Sequence, residues 1–258
     1  VTNYTLRIAT TTNSVPTTDM TGNYSITNTG GVSAVYDASR GYVFSLSGSN
    51  YLQVALSTPK DATRSFWFKP AYSLGVINNV NGTIIASPVW TINNNLIVAS
   101  NGVISTYIGN NPGTNAASGT IVSSTNFDGL GWNFYTITTS TIGPNFVSLY
   151  VNGVLVSTNT SGLVSYPYTD TGPISIGAYY SPSSGYSGSV VGPNNYLTGY
   201  IDDIRQYNYT LTPAQIKNIY NNTLKSISFT DINSYVFRLQ SKSSIVPQYD
   251  TTGIYSVT

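Results

Sequence analysis

The sequence predicts an all-β, antiparallel β-sandwich that carries one short helix near the C-terminal end of the domain. Three observations carry that reading. Short runs rich in Val, Ile, Thr, Tyr and Phe recur between clusters of Gly, Asn, Ser and Pro. An Asn-Gly pair sits between alternating hydrophobic arms in FVSLYVNGVLVS. One segment alone, LTPAQIKNIYNN, reads with helical spacing.

Taken in order, YTLRIA sets a first strand over Tyr4 to Ala9, followed by GYVFSLS, SNYLQVA, RSFWFKP, GTIIAS, NNLIVAS, VISTYIG and WNFYTITTS. Trp67 and Trp132, large aromatics in alternating apolar runs, are expected in the core. Asn152 and Gly153 both tolerate positive φ, so they predict a tight hairpin. ISIGAYY and GYIDDIRQYN complete the strands. In residues 211 to 222, Thr212 is an N-cap, Pro213 the first helical residue and Gln215 the third, a capping box. Leu211 and Ile216 have the spacing of a hydrophobic staple, and Ile216, Ile219 and Tyr220 form a narrow apolar stripe. The helix is expected near residues 212 to 220, with Asn221-Asn222 ending it in a left-handed turn.

The stretch GYIDDIRQYNYTLTPAQIKNIY resembles the closing motif of the laminin-G-like, pentraxin-related branch of the concanavalin A-like lectin/glucanase superfamily. GYVFSLSGSNYLQV, SFWFKP, WNFYTITT and LYVNGVLV are similar to earlier pieces of that family, in the family's order, and together the match spans roughly residues 4 to 222. The resemblance implies a jelly-roll sandwich over residues 1–222. One departure is that the family often has His after the Trp of the central strand, where this chain has Asn133 and Phe134.

Composition narrows the chemistry. Forty per cent hydrophobic residues suffice for a core, while 7% charged, against roughly 25% in an average domain, leaves a surface of amides, hydroxyls and tyrosine. A net charge of +1 without a basic cluster speaks against nucleic acid and against a polybasic membrane patch. No apolar run reaches the length of a membrane span. The chain has no His and no Cys, and all nine acidic residues are Asp. Imidazole bases, thiolate nucleophiles and zinc–thiolate sites are therefore excluded. The superfamily's glycosidases commonly use Glu-x-Asp-x-Glu on one strand, one carboxylate protonating the leaving oxygen while another attacks or activates water. That motif is missing. Asp202 and Asp203 are adjacent on a strand, so alternation sends them to opposite faces, where they cannot bracket one bond. The expectation is no catalytic residue and no enzyme.

Candidate sites remain. Asp202 and Asp203 would suit calcium by charge, but Asp203 and Arg205, two apart on a strand, read better as a local ion pair. Asp128 in NFDGLGW and Asp170 in YTDTGP sit in glycine-containing turns, where an Asx turn and a rim calcium site are the two readings. No other cofactor is implied. The loop AYYSPSSGYSGSVVGPNNYLTG, with Tyr179, Tyr180, Tyr186 and Tyr196, has the composition of a recognition loop, for glycans or protein, or else of a solvated insertion.

The end of the chain repeats its beginning. At a constant offset of 231 residues, 235–258 match 4–27 with ten of 24 positions identical: Tyr4, Arg7, Val15, Pro16, Asp19, Thr21, Gly22, Tyr24, Ser25 and Thr27. After a linker over 223–234, this segment, with Tyr235, Phe237, Arg238, Tyr249 and Tyr255, reads as the start of a second repeat or as an assembly strand. Low charge and abundant Tyr and amide side chains suit a non-enzymatic structural or adhesive module. It would be one unit of a tandem or self-assembling protein on a cell or virion surface, meeting copies of itself or adjacent domains. The alternative is a single glycan-binding lectin module.

Overall fold

Alternation of apolar and polar residues builds the strands, and the two apolar faces so formed meet. The computed structural model describes residues 4–56, 59, 61–71, 82–86, 95–98, 104–107, 121–122, 131–140, 146–160, 173–181 and 192–224. These belong to the unit Val1–Lys225; Ser226–Thr258 is a second unit outside the described residues. In chain order the strands are β1 (Leu6–Ile8), β2 (Ile26–Thr29), β3 (Ser33–Asp37), β4 (Gly41–Ser47), β5 (Tyr51–Val54), β6 (Ala62–Pro70), β7 (Gly82–Ala86), β8 (Asn95–Val98), β9 (Ile104–Tyr107) and β10 (Ile121–Val122). They continue as β11 (Asn133–Ser140), β12 (Phe146–Val151), β13 (Val154–Asn159), β14 (Ile174–Ile176), β15 (Tyr179–Ser181), β16 (Gly192–Asn194) and β17 (Thr198–Tyr207), with one helix, α1 (Pro213–Thr223).

One sheet runs β13-β12-β11-β6-β17-β4-β3, with β1 also on β17, and the second runs β10-β9-β8-β7-β14-β5-β2. The described pairings are antiparallel, and β15 and β16 form a small separate ribbon. Phe44, Phe66, Phe68, Ile201 and Ile204 of the first sheet meet Leu52, Val54, Ile84, Ile174 and Ile176 of the second in one buried cluster. Complete burial of such side chains stabilises by about 1.5–3 kcal/mol each. Among the described residues the antiparallel sandwich carries one helix, as the sequence predicts.

The hairpin forms at Asn152-Gly153, both at positive φ (52° and 74°). A side chain at Gly153 would also meet the Lys217 Cδ at 2.9 Å, so the glycine lets the hairpin approach the helix. The capping box is complete: the Thr212 side chain accepts from the Gln215 backbone N–H, and the Gln215 side chain accepts from the Thr212 backbone N–H. Leu211 and Ile216 are buried in one cluster with Ile219, as a staple requires. The end of the helix differs from expectation. Asn221 and Asn222 remain helical, α1 runs to Thr223 and its cap Leu224 is extended rather than left-handed. Tertiary bonds explain the extra turn. The Thr223 hydroxyl accepts from the Trp67 indole N–H at 3.2 Å, and the Thr223 carbonyl accepts from Arg40 Nη1 at 2.9 Å.

The N-terminal segment is a strand followed by a turn built on one carboxylate. β1 pairs with the second half of β17, Arg7 opposite Arg205 and Ile8 opposite Ile204, while β4 covers the first half of the same edge. Asp19, 4% exposed, accepts from the backbone N–H groups of Arg7, Thr21, Asn23 and Tyr24 and from the Thr21 hydroxyl. Gly22 supplies the positive φ (77°) that closes this turn.

Candidate functional site

The outer, helix-bearing face of the eight-stranded sheet gathers most of the described charge. Its geometry starts from a bulge in β17: Asp202 stands opposite Trp67, yet Arg205 stands opposite Ser65, so β17 carries an extra residue. Asp203 takes a positive φ of 51° there. Alternation predicted opposite faces for Asp202 and Asp203, and the bulge overturns this. Asp202 faces the helix side with Trp67. Asp203 faces the same side, because it bonds Arg7 and Arg205, whose neighbours Ile8 and Ile204 point into the core.

Sharing a face does not make them a reacting pair. Arg40 Nε and Nη2 donate to the fully buried Asp202 at 3.1 and 2.8 Å while Arg40 Nη1 holds the helix end. The guanidinium also lies 4.1 Å from the Trp67 ring centroid. Burial pulls Arg40 below its ordinary value, and Asp202, then Asp203 and Asp37, oppose that pull. Asp203 receives Arg7 Nε at 2.7 Å and Arg205 Nη2 at 2.7 Å. Burial raises its pKa, but the two guanidiniums outweigh burial and leave the carboxyl below its usual range. The Asp203–Arg205 ion pair expected from the spacing is present, with Arg7 as a second arm.

Next to this clasp lies a less buried group. Lys69 Nζ donates to Asp37 at 2.5 Å and sits between two rings, 5.4 Å from the centroid of Trp132 and 5.1 Å from that of Tyr200. The Arg40 guanidinium lies 5.7 Å from the same Trp132 centroid. Burial raises the Asp37 pKa, yet the hydrogen bonds from Lys69 and Ser39 more than offset it, so Asp37 stays ionised well into acid. Trp132 corrects a second expectation. It precedes β11 rather than lying in it, and it is half-buried at the end of the sheet, packed against the outer cluster of Trp67, Phe134, Tyr150 and Tyr207. Trp67, at 3% exposure, is the core residue predicted.

The tyrosine loop is divided. Tyr179 is half-buried in β15 opposite Asn194, and Tyr196 packs on Tyr51 of β5 with centroids 6.3 Å apart. Tyr196 and Trp132 therefore associate with different sheets. Tyr180 lies in β15, and its side chain, with Tyr186, Asp128, Asp170, Tyr235, Phe237, Arg238, Tyr249 and Tyr255, falls outside the described residues. Among the described residues no three acidic side chains gather as a metal site would need. Arg40 and Asp37, in the tight turn YDASRG, had no sequence signal, because their partners lie on β17, β6 and α1. The Lys-Pro end of SFWFKP was the one visible hint of Lys69.

This is a lectin-type sandwich in which Asp37, Asp202 and Asp203 serve ion pairs and Asp19 a turn. A family model described as Concanavalin A-like lectin/glucanases superfamily (Laminin_G_3) matches residues 44–217, and the chain belongs to that family. Among solved structures, the botulinum neurotoxin serotype D binding domain superposes with a TM-score of 0.62 at 19% identity, covering 85% of this chain and 51% of that one. The binding domain of botulinum neurotoxin DC in complex with SialylT gives 0.63 at 18% identity, covering 86% and 52%. The same domain in complex with rat synaptotagmin II gives 0.63 at 18%, covering 85% and 51%. The chain thus spans about half the length of these structures, and at such identity the likeness is one of fold. A comparison with curated protein sequences finds no match.

Proposed function

We propose that this domain is a non-enzymatic binding module with an adhesive role on an exterior surface, and that it presents the Trp132–Lys69–Tyr200 face to its partner. The observation that carries this reading is the division of the outer face. Asp202, Asp203 and Asp37 are each held by Arg or Lys, so none of these three is poised to protonate a leaving group. The half-buried rings of Trp132 and Tyr200 flank Lys69 and keep part of their surface in solvent. An aromatic face flanked by hydrogen-bonding groups is suited to a sugar ring, which favours glycans as the partner class. One structural neighbour is described in complex with SialylT and, in a second structure, with rat synaptotagmin II, so binding is a use to which this fold is put. Fold analogy alone does not assign a ligand.

The test is a glycan array and cell-surface binding assay on the whole chain, with calcium and with EDTA, beside a polysaccharide-hydrolysis panel. Retention on glycans in both buffers, abolished by Trp132→Ala and without turnover, is the expected result. Self-association without glycan retention would instead favour a self-assembling structural unit. Turnover would restore the enzyme reading.

A further inference from the structure

Beyond that binding reading, we propose that the Ile204–Gln206 edge of β17 is a docking groove for a strand-and-turn ligand, and that residues 235–258 are a second ligand for a groove of this kind. The described copy shows what docking requires. Thr5 N–H donates to the Gln206 carbonyl at 2.7 Å, Leu6 and Ile8 enter the core at 0% exposure, and Arg7 reaches Asp203. Tyr4 lies 5.8 and 5.9 Å from the guanidiniums of Arg7 and Arg205. The Asp19 turn folds the chain back, with Met20 N–H donating to the Arg7 carbonyl at 2.8 Å.

Each of these roles recurs in 235–258: Tyr235 for Tyr4, Arg238 for Arg7, Asp250 for Asp19, Thr252 for Thr21, Gly253 for Gly22 and Tyr255 for Tyr24. The changes between the copies follow burial. The buried positions Leu6, Ile8, Thr10, Asp19 and Ile26 become Phe237, Leu239, Ser241, Asp250 and Val257, each kept in kind. Most altered positions are exposed: Thr11, Asn13, Ser14, Thr17, Thr18, Met20 and Asn23 give way to Lys242, Ser244, Ile245, Gln248, Tyr249, Thr251 and Ile254. Only Thr5 and Ala9, partly buried, break the pattern. A segment serving merely as a spacer would have no reason to keep residue character at the buried positions while changing it mostly where the docked copy meets solvent. In the intact chain residues 4–27 hold the groove, so residues 235–258 are ligand for the groove of another domain of this type.

The test is the otherwise intact chain without residues 1–27, made with and without Asp250→Ala. If residues 235–258 fit the groove, the shortened chain keeps a cooperative thermal transition and Asp250→Ala lowers its Tm by about 5 °C or more. The same substitution in the full chain, where the groove is already filled, leaves Tm unchanged. A shortened chain that does not fold, one indifferent to Asp250→Ala, or an equal loss in both chains overturns the proposal.

Discussion

The two faces of the eight-stranded sheet are built on different terms. Inward it offers Phe44, Phe66, Phe68, Ile201 and Ile204, which need only apolar neighbours. Outward it holds Arg40, Asp202, Asp203, Arg205 and Lys69 among aromatic rings, where every charge needs one partner in one place. The inner face tolerates exchange of one apolar shape for another of similar volume. The outer face does not tolerate the loss of one member of a buried pair, because the other is left desolvated and uncompensated. The first face specifies a sandwich, and the second fastens the helix to it.

The largest expected effect is therefore Asp202→Ala, which strands the 3%-exposed Arg40 and should cost about 3–5 kcal/mol by denaturant unfolding. Pairing Asp202→Leu with Arg40→Met should recover most of that loss, since replacing a buried ion pair by apolar groups is often neutral. A double variant as unstable as the single one would break the comparison. Phe66→Ala on the inner face should cost about 3–4 kcal/mol through its cavity. Arg7→Ala should cost less, about 1 kcal/mol, because Asp203 keeps Arg205. Thr212→Ala removes the N-cap and should cost about 1 kcal/mol, read as a lowered unfolding midpoint.

The pH profile sharpens the same contrast. Asp19, Asp37 and Asp203 have folded pKa values below the ordinary carboxylate value. Their contribution is complete above the unfolded value of about 4 and is lost as pH falls below it. Tyr135, Tyr150 and Tyr207 are raised by burial, so their contribution is lost as pH rises above about 10. With no His or Cys to titrate between, Tm should be flat from about pH 5 to 9. EDTA should shift Tm by less than about 2 °C; a larger fall, restored by calcium, would return Asp128 and Asp170 to the account as ligands.

What the sequence made legible follows the division between the faces. Strand alternation, the Asn152-Gly153 hairpin and the Thr212 capping box are local signals, and each stands where the pattern put it. The Asp203–Arg205 pair was also local, two residues apart. Asp202 with Arg40 was not: the residues are 162 apart in sequence and meet only when β17 settles beside β4. The bulge at Asp203 was hidden for a related reason. An extra residue on one strand is defined by its partner, and strict period-two counting then set Asp202 and Asp203 on opposite faces. Trp132 was misplaced because the apolar run WNFYTITT continues beyond the strand that contains most of it. The helix outran Asn221-Asn222 because Trp67 and Arg40 hold its last turn.

In the function proposed above, the outer face separates a structural clasp at Arg40 and Trp67 from a binding surface at Trp132. The most direct measurement is thermal unfolding and glycan or cell-surface retention on one sample of Trp132→Ala, beside Trp67→Ala as the structural control. Trp67→Ala should lose about 3–5 kcal/mol. Trp132→Ala should lose no more than about 1–2 kcal/mol and remain folded while retention disappears. A Trp132→Ala protein as unstable as Trp67→Ala, or one that folds and still binds in full, would contradict the claim.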